Sequence, residues 1–303
     1  MRPPDLDKLR RSGLISATAR EHGKKLIRPG ARIEAIAREV EVVIRDMGGK
    51  PAFPAQLSRN HIAAHYCSPP EDPTELQPDD IVKLDLGTQV DGYVTDNAVT
   101  VDLRDGPDSL IVAASRMALE NAISVMGPDA PITEIGRQIE STVKALGFHP
   151  VYNLTGHGVA RYVIHCAPSI PNYEDKKAGR LRANMTIACE PFVSDGKGYI
   201  EAQGAPEVFM LKRDIRPKDN VAAEVQNAVA VTEGLPFARR QLLLALGSPQ
   251  KVEDAIRLLK KRALIEEYPP LCEKRGVRVA QTEHTIFISE SGAEVVTRLP
   301  NDG

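Results

Sequence analysis

Apolar residues recur with a helical spacing at the start of the chain. Residues 5–27 and 31–47 both place them every three to four positions. In the second stretch Ile33, Ile36, Val40 and Ile44 share one face, which ends at Gly48–Gly49, where a left-handed cap costs little. The period then changes. IVKLDLGTQV and YVTDNAVTVDL read as strands, and the Asp91–Gly92 turn between them is a strong hairpin signal. Helical spacing returns over 110–126 and 132–146, the latter stopped by Gly147. Each half of the chain therefore predicts two helices and a short antiparallel sheet, an α+β class.

The halves are also similar in sequence. Without a gap, residues 29–51 align onto 128–150, and Pro29, Ala31, Ile33, Ile36, Arg38, Glu41, Gly48 and Pro51 meet Pro128, Ala130, Ile132, Ile135, Arg137, Glu140, Gly147 and Pro150. Small shifts extend the match: His65 falls on His165, Asp85 in VKLDLG on Glu190 in IACEPF, and Thr95–Asp96 on Thr282–Glu283 in AQTEHTIFI. A duplication that brings one histidine and two carboxylates to matching places in each half implies a shared site on a pseudo-twofold axis. The second half is interrupted between its carboxylate segments. Residues 206–275 carry helical patterns in FARRQLLLALG and VEDAIRLLKKRALIEE and read as a helical insertion within a single catalytic domain, 1–303. A helix-turn-helix there would suggest DNA binding, but Arg239, Arg240, Lys260 and Lys261 are balanced by nearby acids.

Composition narrows the partners. With 303 residues and 42% hydrophobic content the chain can bury a substantial core. Its 39 basic and 41 acidic residues leave a net charge of -2, which gives no electrostatic reason to expect a nucleic acid or an acidic membrane surface as ligand. The opening MRPPDLDKLRRSG has no apolar signal core, and no apolar run is long enough to span a bilayer, so a soluble cytoplasmic protein is expected. Cys67, Cys166, Cys189 and Cys272 form no CxxC pair, which argues against a zinc knuckle or a disulfide framework. Cys189 reads as a small buried apolar residue.

The chemistry lies in the acids. On a hairpin the side-chain period is two, so the Asp91–Gly92 turn puts Asp85 and Asp96 on one face, opposite or diagonal. Aspartate is depleted in strands, and like pairs across strands are unfavourable by up to about 1 kcal/mol. With Glu190 and Glu283 the cluster holds four formal negative charges, which could not all stay ionised in a buried site without a counter-charge. Two divalent metal ions would balance them. An oxygen-rich donor set with one imidazole favours a pair of Mn, Fe, Co or Zn ions over a thiolate-held structural zinc. His157, in the glycine-flanked TGHGV, is the candidate imidazole, although a lone loop histidine is more often structural.

LSRNHIAAHY, VKLDLGTQVDGYVTDNAVTV, LTGHGVARYVIH, ACEPF and YPPL followed by AQTEHTI resemble, in order and with the same insertion, the metal and substrate segments of type 2 methionine aminopeptidases. The resemblance covers nearly the whole chain and implies the pita-bread fold. It implies that Asp85 holds one metal, His157 and Glu190 the other, and that Asp96 and Glu283 bridge the two. It also implies hydrolysis by water, with Glu190 as general base or proton shuttle, His165 at the scissile carbonyl and His65 at the substrate and leaving amine. Phe53, Ile164, Phe192 and Tyr268, with His65 and His165, would line an apolar pocket for methionine. The implied activity is removal of the initiator methionine from peptide or nascent-protein N-termini when the second residue is small. A monomer meeting the ribosome transiently is the default, with no nucleic-acid specificity and no membrane.

Glu201 departs from the histidine some relatives carry, and His61 receives no role. The rivals are an Xaa-Pro aminopeptidase or prolidase, which usually carries a sizeable N-terminal domain before the first ligand; a non-catalytic RNA- or ribosome-binding relative, which should have lost ligands; and a type 1 enzyme, which lacks the insertion.

Overall fold

The computed structural model describes residues 3–299. Helices α1 (Pro3–Leu26) and α2 (Ile33–Asp46) open the first half, followed by strands β1 (Lys50–Arg59), β2 (Ile62–Ala64), β3 (Ile81–Val90) and β4 (Tyr93–Asp102). The sheet order is β1-β3-β4, all antiparallel. The apolar face of α2 is buried as its spacing predicts: Ile33, Ile36, Val40 and Ile44 join Leu57, Val82, Leu84 and Leu86 in one core. Each such side chain contributes about 1.5–3 kcal/mol on burial. Gly48 has φ 84 and ends α2, and Asp91 and Gly92, with φ 52 and 83, turn the β3–β4 hairpin.

The second half repeats this plan with additions. Helices α3 (Leu110–Ser124) and α4 (Ile132–Ala145) precede β5 (His149–Pro150), β6 (Thr155–Ala160), β7 (Val163–Pro171), β8 (Met185–Cys189), β9 (Phe192–Ser194) and β10 (Glu201–Ala202). Ile132, Ile135, Ile139 and Val143 of α4 bury against Ile170, Ile187 and Ile286. At the end of the insertion lies β14 (Leu271–Cys272), and after it come β15 (Val279–Gln281), β16 (His284–Ile288) and β17 (Ala293–Val295). A five-stranded sheet runs β17-β16-β8-β6-β7, and β15-β9-β5 and β10-β14-β2 form smaller ones.

Residues 206–275 are not purely helical. Between helices α5 (Ala223–Ala230), α6 (Arg239–Leu246) and α7 (Pro249–Lys261) the segment builds a sheet ordered β12-β11-β13 from β11 (Val208–Leu211), β12 (Phe237–Ala238) and β13 (Ile265–Tyr268). The opening FA of FARRQLLLALG and the tail after VEDAIRLLKKRAL are therefore strand. Both runs are too short for periodicity to separate strand from helix, and pairing with β11 decides the outcome. Phe209, Phe237, Leu242, Ile256 and Leu259 give the segment a core of its own.

The halves are sewn together along β4 and β15–β16. Glu283 N–H donates to Ala98 O (3.1 Å), and Asp96 N–H donates to Thr285 Oγ1 (2.7 Å). The Thr100 hydroxyl donates to Gln281 O (2.6 Å) and accepts from Gln281 N–H (2.8 Å). These bonds lie at the carboxylates themselves, so the seam fixes their separation. Among the described residues no helix is long and apolar enough to cross a membrane.

Candidate metal centre and active site

Asp85 pairs with Ala98 and Gly87 with Asp96, so Asp85 and Asp96 stand diagonally on one face of the β3–β4 hairpin. In the second half, Cys189 pairs with His284, which sets Glu190, just after β8, beside Glu283, just before β16. His157 comes from β6, where it pairs with Ala188 of β8. Its Nε2 lies 3.4 Å from Glu190 Oε1 and 3.7 Å from Asp96 Oδ2. Asp96, His157 and Glu283 each offer a ligand atom within 4.8 Å of the other two.

The glycines beside His157 have a steric cause. A Cβ at position 156 would sit 2.4 Å from Ala188 O, and one at 158 would sit 2.3 Å from Ala167 O. Neighbouring strands thus approach His157 as only glycine permits, and register shifts on either side of Gly158 mark an irregular β6–β7 ladder.

The electrostatics are those of a buried acid cluster. Burial, before any neighbour, raises Asp85 to about 7. Burial and the Asp85 charge hold Asp96 well above the usual carboxylate range, and burial with the adjacent acids does the same to Glu190 and Glu283. Burial, and then His165, pushes His157 down to about 3, so its imidazole is neutral and can offer a lone pair. Its approaches to Asp96 and Glu190 are therefore not ion pairs. Asp85 Oδ1, Asp96 Oδ1 and Glu283 Oε1 are buried without a hydrogen-bond partner. An unsatisfied buried carboxylate oxygen is costly, and several converging on a neutral imidazole fit divalent cations.

All five of these residues line a cavity of ≈ 340 Å³, as do His65, His165, Phe53, Ile164, Phe192 and Tyr268. The His65 ring meets the Tyr268 ring edge-on at 5.8 Å, and His165 meets His157 edge-on at 4.3 Å. Burial, then His165, lowers His65 to about 4, and burial also lowers His165 although it stays exposed at the mouth. His65 has φ 66, in the left-handed region that few residues other than glycine enter, although histidine does so more readily than most. Phe53 and Ile164 belong to one apolar cluster, Phe192 to another and Tyr268 to a third at the edge of the insertion. Phe53 lies over Gly87, where a Cβ would come within 2.3 Å of its ring.

Glu201 is exposed on β10, opposite Cys272, and His61 offers its carbonyl to Glu273 N–H; neither lines the cavity. Sequence reading missed Gln281, whose Nε2 donates to Glu190 Oε2 (3.3 Å) and, at 3.5 Å, to Glu283 Oε2. Its place two residues before Glu283 was the available signal. Gln56, opposite Asp85 in the β1–β3 ladder, and Asn153, Val208 and Pro236 of the lining were also missed.

Residues 7–233 match metallopeptidase family M24. A methionine aminopeptidase of Archaeoglobus fulgidus is 37% identical over 294 residues, covering 96% of this chain and 98% of that protein. The crystal structure of a methionine aminopeptidase from Thermotoga maritima matches with TM-score 0.72 at 25% identity, covering 99% of this chain and 98% of that one. The prolidase from Pyrococcus furiosus matches with TM-score 0.62 at 18% identity, and there 99% of this chain covers only 65% of the other.

Proposed function

Because the chain belongs to metallopeptidase family M24, and so uses divalent metal, we propose that it is a methionine aminopeptidase that hydrolyses the initiator methionine from polypeptides whose second residue is small. One observation carries this reading. In a chain that matches methionine aminopeptidases nearly end to end, Asp85, Asp96 and Glu283, each with a buried unpartnered oxygen, join Glu190 and a neutral imidazole in the lining of one cavity.

Two divalent ions, from among Mn, Fe, Co and Zn, are the proposed cofactors. Asp85 would hold one, His157 and Glu190 the other, with Asp96 and Glu283 shared. Such ions supply an acidified water and an anchor for a free amino terminus. The remaining chemistry belongs to the chain. Glu190, kept basic by burial and oriented by Gln281, takes the proton of the attacking water and passes it on. His165, neutral at the cavity mouth, donates to the oxygen of the scissile carbonyl as charge develops there. His65, backed by Tyr268, contacts the substrate and the leaving amine. Phe53, Ile164, Phe192 and Tyr268 enclose the thioether side chain. A nascent-chain substrate places this work in the cytoplasm, with the protein a monomer that meets the ribosome transiently.

The prolidase reading is disfavoured by sequence, since the prolidase of Pyrococcus furiosus is 18% identical to this chain and the methionine aminopeptidase of Archaeoglobus fulgidus 37%. A purely binding role is disfavoured by the complete set of ligand-type residues. Methionine release from Met-Ala-Ser should exceed cleavage of Xaa-Pro peptides, stop with a chelator and return with a divalent metal. Cleavage confined to Xaa-Pro, or no release with any of the four metals, would reject the reading.

A further inference from the structure

The insertion meets the first half through a buried pair that the chemistry above does not use. Arg240 of α6 is 3% exposed and donates from Nη2 to Glu41 Oε1 of α2, itself 4% exposed; its Nη1 lies 3.6 Å from Cys67 Sγ. The same Glu41 oxygen accepts Ala55 N–H at 3.2 Å. Ala55 sits where the β1–β3 register breaks, between Phe53 and Gln56, so no ladder partner takes that N–H. Phe53 and Gln56, on either side of the break, line the cavity.

The insertion supplies the facing wall. Val208 pairs with Ala238 on one side and Tyr268 on the other, and these three pack with Cys67. Val208, Tyr268 and Pro236 line the cavity, and Arg240 lies two residues beyond Ala238 on the same segment. One carboxylate thus joins the bulged strand to the insertion's wall. The rest of the insertion packs around a core of its own.

We propose that Glu41 and Arg240 are positioning residues for substrate, a latch that sets the spacing between the β1 bulge and the insertion's sheet and so the fit of the first side chain. This rests on the reading of the cavity as the methionine site. The gene repeat supplies the contrast: Glu140, the counterpart of Glu41, is half-buried and among the described residues takes Lys144 (2.6 Å) and Glu174 N–H (2.9 Å), with no bond to the insertion.

Two variants test it. Arg240→Met keeps bulk but loses the forked donor, and Glu41→Gln keeps shape and an acceptor for Ala55 while leaving the guanidinium uncompensated. Each should raise KM for Met-Ala-Ser about tenfold with kcat within about twofold, the pattern of lost ground-state binding. Each should also speed alkylation of Cys67, 2% exposed in the intact protein, by about tenfold, read on its peptide by mass spectrometry. Glu140→Gln should change neither. Should one variant fail to fold, the other decides. The labelling judges the latch even where the unsubstituted chain releases no methionine, a result that counts against the function alone. KM and Cys67 labelling both at their unsubstituted values, or either moving without the other, overturns the proposal.

Discussion

The two halves of the molecule place matching carboxylates on differently built supports. In the first, Asp85 and Asp96 share one continuous hairpin. In the second, Glu190 and Glu283 lie at the ends of β8 and β16, which pair just as closely although the whole insertion separates them in sequence. Strand register, not chain continuity, is therefore what the duplication preserved. The helix supports match too: Ser12 of α1 bonds to Thr95, next to Asp96, as Ser115 of α3 bonds to Thr282, next to Glu283. Where the halves differ, the chemistry becomes asymmetric. By register, Ser58 stands opposite Lys83 where His157 stands opposite Ala188, so the imidazole belongs to the second half alone.

This comparison breaks most visibly at the ligands. If Asp96 and Glu283 are equivalent bridges, Asp96→Asn and Glu283→Gln should lose activity alike, on the order of 10⁴-fold or more, and should each lower bound metal. Asp85→Asn and Glu190→Gln should not match. On the proposed roles, Glu190→Gln loses a proton carrier as well as a ligand, an additional factor of roughly 10²–10⁴. Steady-state kinetics paired with metal content by mass spectrometry would check both statements. Unequal bridges would show that the twofold relation stops at the backbone, whereas an Asp85 variant as inactive as the Glu190 variant would show that Glu190 carries no proton-transfer role of its own.

A second test sets the acids of both halves against the histidines. Without metal, Asp85 titrates at about 7 in the folded protein against 3.8 for the free side chain. Between those values the folded state binds the extra proton, so this group's stabilisation is lost as pH rises through 7. His65 and His157, lowered to about 4 and about 3 from 6.5, act in the opposite sense: their contribution is present above 6.5 and is lost as pH falls. Metal removes the first penalty by taking the place of the protons. Thermal unfolding should therefore show a metal-induced gain that grows from about pH 5.5 to about pH 8, reaching roughly 5–10 °C with metal well above its Kd. A gain that is flat, or larger in acid, would contradict a site built on shared carboxylates.

What the sequence made legible was local. Period two and the Asp91–Gly92 turn were enough to put Asp85 and Asp96 on one face, and the spacing of Ile33, Ile36, Val40 and Ile44 marked a buried helix face. The glycine-flanked motif made His157 a candidate and family resemblance made it a ligand, because the irregular β6–β7 ladder that presents it leaves no periodic trace. The sheet of the insertion escaped notice because its strands are short and its pairings span tens of residues. Arg240 read only as one of several charges balanced by nearby acids, because its partner, Glu41, lies on a distant helix. Long-range pairing of buried polar groups leaves little signature in a single chain.

The smallest effect tests the supports. Ser12 is fully buried, donates to Thr88 O (3.0 Å) and bonds to Thr95, which is fully buried as well. Ser115 bonds to Val112 O (2.9 Å) and to Thr282, which is only half-buried. Ser12→Ala strands a buried hydroxyl that water cannot reach, about 1–3 kcal/mol, whereas water can replace Ser115 at Thr282, which limits that loss to about 0.5–1.5 kcal/mol. Thermal unfolding should thus rank Ser12→Ala below Ser115→Ala in stability, with Tm values separated by about 1–2 °C. Identical losses would mean that the two supports are energetically as well as geometrically equivalent, and that solvent reaches neither. The reverse order would place the tighter joint in the half that accepted the insertion.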